Sequence, residues 1–60
     1  MYEEIINNAI SEYNEAKRSG KNVKHAINGM ENTYIMIADK NVKGSEKLRK
    51  MILEAKENVK

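Results

Sequence analysis

The 60 residues are 40% apolar and 33% charged, with no cysteine, proline, tryptophan or phenylalanine. They suffice for one small domain and argue against the elaborated pocket that most enzymes need. No thiol pair is present to staple the chain and no Cys/His set to hold zinc, so stability rests on apolar packing within the chain or across a dimer interface. The formal net charge of +2 falls well short of the strongly basic balance of an obligate nucleic-acid coat.

The first element is a helix predicted over about residues 2–19. Tyr2, Ile5, Ile6, Ala9, Ile10, Tyr13 and Ala16 recur at spacings of three and four, one stripe of a helix with glutamate and asparagine opposite. Glu3 and Glu4 suit the positive end of the helix dipole, and Lys17 and Arg18 the negative end. Gly20 supplies a residue able to take the left-handed conformation that closes a helix.

The second helix is predicted over about residues 23–40. Asn22 is placed to cap it through its side-chain oxygen. Val23, Ala26, Ile27, Met30, Tyr34, Ile37 and Ala38 form its stripe, and Gly29 within it reads as a point of close helix packing. Asn41 is expected to end the helix in a left-handed cap, with Val42 folding back onto Ile37.

Ser45 then reads as the N-cap of a third helix over about residues 46–58, with Glu46 in its first turn. Leu48, Met51, Ile52, Ala55 and Val59 make the third stripe. Three amphipathic helices with short connections predict an all-α fold, a small antiparallel three-helix bundle spanning residues 1–60 as a single domain. A helical hairpin completed by dimerisation is the alternative. Asn-Val-Lys occurs at Asn22, Asn41 and Asn58, but the flanking residues do not match, so capping chemistry explains it better than a repeat.

The longest apolar run, Tyr34 to Ala38, is five residues against the roughly 20 of a membrane-spanning helix. No secretory signal pattern opens the chain, and a cytoplasmic location is expected. Lysine, asparagine and isoleucine supply 24 of the 60 residues, a bias that suggests an AT-rich genome such as that of a low-GC bacterium or its phage.

Catalytic chemistry finds little to build on. His25 is the single histidine, close in sequence to Lys21 and Lys24, and reads as a boundary residue of the second helix. Glu12 and Glu15 sit three apart, a spacing common on solvated faces. Gly20, Gly29 and Gly44 stand alone, so no phosphate-cradling loop is present. No enzyme activity, metal, cofactor or small-molecule substrate is expected.

Two surfaces carry functional content. In an up-down-up bundle the end of the first helix, the start of the second and the end of the third share one pole, which gathers Lys17, Arg18, Lys21, Lys24, Lys56 and Lys60. Such a cluster suits an acidic partner or phosphates, although no aromatic ring is interleaved for base stacking. The other surface is apolar. At about 100° per residue, Ile35 and Met36 leave the second stripe on opposite flanks, and Leu53 leaves the third. These three predict a contact surface for another protein or a second copy of the chain. The expected function is therefore that of a small non-enzymatic regulator or inhibitor that binds a protein through an apolar helix surface, alone or as a homodimer. Nucleic-acid binding through the basic pole is the alternative.

Overall fold

The computed structural model describes residues 2–58. Val59 and Lys60, assigned above to the third stripe and the basic pole, lie outside the described residues. Three helices follow in order, α1 (Tyr2–Ser19), α2 (Val23–Ile37) and α3 (Val42–Asn58). They pack as an antiparallel three-helix bundle within one chain. The second helix lies between the other two and meets each of them more extensively than they meet one another. Among the described residues no helix is long and apolar enough to cross a membrane.

The stripes supply the core. Ile6, Ala9, Tyr13 and Ala16 come from α1, Ala26, Ile27, Met30 and Ile37 from α2, and Leu48, Ile52 and Ala55 from α3. Met30, Ile37 and Leu48 are the largest side chains removed completely from solvent. Tyr2, Ile10, Val23, Tyr34 and Met51 close its edges, half-buried. Two small polar residues also lie inside, each satisfied within its own helix. The Thr33 hydroxyl donates to the Gly29 carbonyl at 2.9 Å, and the Ser45 hydroxyl to that of Val42 at 2.8 Å. Bonds of this kind remove the desolvation cost that a lone buried hydroxyl carries.

Gly20 closes α1 in the left-handed region at φ 74°, its amide donating to the Ala16 carbonyl at 2.7 Å. Asn22 departs from expectation. It too is left-handed, at φ 60°, and its side chain makes no capping hydrogen bond. Its carbonyl instead accepts from the Ala26 amide at 3.0 Å, so its tolerance of a positive φ is what the tight turn uses.

The junction between α2 and α3 differs more. The second helix stops at Ile37, three residues earlier than expected, where the Ile37 carbonyl accepts from the amides of both Lys40 and Asn41 at 2.9 and 2.8 Å. Asn41 does not close α2 in a left-handed cap. It opens α3, four residues earlier than expected, its side-chain oxygen accepting from the Gly44 amide at 3.0 Å. Ser45 is consequently no cap but a buried residue inside the helix, and Val42, expected to fold onto Ile37, is 61% exposed. Ile5, placed in the first stripe, is also exposed.

The glycines trade roles. Gly29 has open space where a Cβ would stand, so no helix packs closely there. At Gly44 a Cβ would collide with the Cδ1 of Ile6 and crowd the capping side chain of Asn41. The close approach of two helices thus occurs between α1 and the first turn of α3.

Candidate protein-binding surface

Four large apolar side chains on α2 and α3 remain outside the core. Ile35 is 72% exposed, Val42 61%, Leu53 54% and Met36 51%. The geometry of an antiparallel pair brings two of them together. Ile35 from α2 and Leu53 from α3 stand on either side of a shallow groove of about 220 Å³, with Tyr34 and Ile52 also lining it and Glu31 and Arg49 contributing charge. Met36 is not part of this groove, because one residue turns the helix by about 100° away from Ile35.

Val42 was missed as a surface residue, since its exposure follows from the early start of α3. It stands eleven residues before Leu53, three full turns within about 20°, and so shares that side of the helix. The signal was present in the sequence as the Val42, Arg49, Leu53, Lys56 spacing. Reading it required the true start of the helix.

The basic pole is assembled with acids among its bases. Lys56 forms an ion pair with Glu31 across α2 and α3, and Lys24 lines the same depression. Arg18 pairs with Glu15 at 3.5 Å, both side chains exposed. Lys17 shares a recess with Glu54 and Glu57, and Lys21 lines a cleft with Glu12 and Glu15. Lys60 lies outside the described residues. A phosphate approaching these bases would meet carboxylates at nearly every step, which reduces the counterion release that favours nucleic-acid binding.

That cleft, about 470 Å³ between α1 and α2, also brings His25 beside Glu12 and Glu15, with Ser11 and Ser19 on its rim. His25 is exposed, as are both glutamates. No group of three or more histidine, cysteine or acidic side chains among the described residues is arranged to hold a metal ion. Every buried side-chain nitrogen and oxygen among the described residues has a hydrogen-bond partner.

No protein-family model matches the chain, and no curated protein or solved structure is detectably similar to it.

Proposed function

We propose that this chain is a small protein-interaction module, a regulator or inhibitor without catalytic activity, that works by laying the outer edge of α2 and α3 on a protein surface. The observation that carries the reading is the pairing of Ile35 and Leu53 about one groove, both more than half exposed. A chain of this size has few apolar residues to spare from its core, and leaving two large ones adjacent in water favours association. Glu31 and Arg49 at the groove give it charge with which to select and orient a partner. Met36, exposed on the other flank of α2, lies outside that groove and offers a separate apolar contact. The lysine, asparagine and isoleucine bias supports an AT-rich bacterial or phage origin, and we place its action in the cytoplasm.

A photo-crosslinking residue at position 35 tests the reading. In an extract of the cells that make the protein it is expected to join the chain to a defined protein. The same group at the exposed Asn8 of α1 should not, and Leu53→Glu should abolish the product. If position 35 crosslinks nothing that position 8 does not, the reading fails.

A further inference from the structure

On the basis of that reading, we infer that the occupant of the α2–α3 groove is an acidic amphipathic helix of a partner protein. Its apolar ridge lies between Ile35 and Leu53, and its carboxylates face Lys24 and Arg49. The groove extends beyond the part between Ile35 and Leu53. A second depression, of about 330 Å³, is lined by Lys24, Ile27, Asn28, Glu31 and Lys56 and shares Glu31 with the first. Together they follow α2 from Lys24 to Ile35, about 16 Å or three turns at about 1.5 Å per residue. Ile27, Tyr34 and Ile52 supply apolar surface along that length.

The charge along the groove is one-sided. Three bases and one acid line the two depressions, Lys24, Arg49 and Lys56 against Glu31. Lys56 is engaged with Glu31, whereas Lys24 and Arg49, both exposed, form no ion pair among the described residues. The nearby acids lie elsewhere. Glu57 lines the recess that holds Lys17, Glu46 lines neither depression of the groove, and Asp39 stands in the turn beyond α2. An occupant that covers the groove takes two free positive charges partly out of water, and a carboxylate opposite each offsets that cost. The backbone of the groove selects a helix over an extended segment. Both walls are α-helices whose amides and carbonyls bond within their own helix, so among the described residues no strand edge can pair with an extended chain. A helix satisfies its own backbone and rests on such a surface through its side chains alone.

Fluorescence anisotropy on the whole chain, with designed helical peptides as probes, tests this. Three labelled peptides of about 20 residues, long enough to hold a helix in water, share one apolar ridge of leucine. They differ only in the flanking residues, which are glutamate, glutamine or lysine. The glutamate peptide is expected to bind at least about tenfold more tightly than the lysine peptide, with the glutamine peptide between them and the difference shrinking as salt rises. Lys24→Glu combined with Arg49→Glu should reverse that order. Lys21→Glu combined with Lys43→Glu changes the net charge equally at exposed positions outside the groove and should leave the order unchanged. Circular dichroism checks that both double variants keep their helices. Leu53→Glu, which places charge on the apolar wall, should weaken binding of the glutamate peptide by about thirtyfold or more.

No binding of the glutamate peptide up to about 1 mM, equal binding of all three, or an order that the Lys21 and Lys43 changes reverse as readily, overturns the proposal. So does self-association, seen by sedimentation equilibrium, that Leu53→Glu abolishes and the glutamate peptide does not disperse, because the groove then holds a second copy. The two readings fail separately. A protein crosslinked at position 35 through a segment that is not an acidic helix overturns this occupant and leaves the interaction module standing, whereas a chain that crosslinks nothing there overturns both.

Discussion

The inner and outer sides of the α2–α3 pair are built from the same residue types and meet opposite fates. Inside, Met30, Ile37 and Leu48 are completely buried, while Ile35 and Leu53, a few residues away along the same helices, stand mostly in water. Leucine and isoleucine have the same affinity for an apolar environment wherever they occur. What differs is whether the chain provides a neighbour. Three helices of this length enclose one core, and among the described residues no fourth element covers the far side of α2 and α3. The inner side is therefore where stability resides, and the outer side is where association can be gained without loss of fold.

The sharpest way to break this contrast is to truncate one residue on each side. Leu48→Ala is expected to cost about 2–5 kcal/mol, comparable to the whole stability of about 3–5 kcal/mol that so small a core supplies. Thermal unfolding followed by circular dichroism should show most of the cooperative transition lost. Leu53→Ala, measured at concentrations where the chain is monomeric, should change stability by no more than about 0.5 kcal/mol. Equal losses at the two positions would mean that the outer side is part of the core.

The junction offers a smaller test. Asn41→Ala removes the side chain that caps α3 beside the Gly44 amide and should cost about 1 kcal/mol. Asn22→Ala loses no side-chain cap, and its cost comes from the left-handed backbone, so Asn22→Gly should be neutral or stabilising. Chemical denaturation of the four proteins, with Asn41→Gly included, distinguishes the roles. The contrast would be wrong if Asn22→Gly and Asn41→Ala destabilised alike.

Glycine replacement separates open from closed helix surface. Gly29→Ala should stabilise by about 0.5–1 kcal/mol, since nothing occupies the place of the new methyl. Gly44→Ala has the same helix propensity in its favour but must displace the buried Ile6 side chain, so its midpoint of denaturation should fall below that of Gly29→Ala. A small effect is also expected at the half-exposed ion pair. Lys56→Gln is expected to cost at most about 1 kcal/mol, with less loss as salt rises.

Much of the fold was legible because its signals are local. The ends of α1 follow from early glutamates, late bases and a left-handed glycine, all within a turn of the boundary they mark. The α2–α3 junction was not legible for the same reason. Asn41 to Ser45 offers two overlapping solutions, Asn41 ending one helix with Ser45 starting the next, or Asn41 starting the next with Ser45 inside it. Local propensity favours neither strongly. The packing of Gly44 against Ile6, 38 positions earlier in the sequence, accompanies the second.

The candidate surface divides in the same manner. Periodicity showed that Ile35, Met36 and Leu53 depart from their stripes, because the direction of a side chain around its own helix depends only on residue number. Only the packing joined Ile35 to Leu53, left Met36 outside their groove, and set acids among the bases of the pole. Sequence by itself determined three amphipathic helices and the apolar residues of their common core, though not that Ile5 stands outside it or that Thr33 and Ser45 lie within. Tertiary structure decided which outward side chains became neighbours, since that depends on the register and separation of helices whose contacts are remote along the chain.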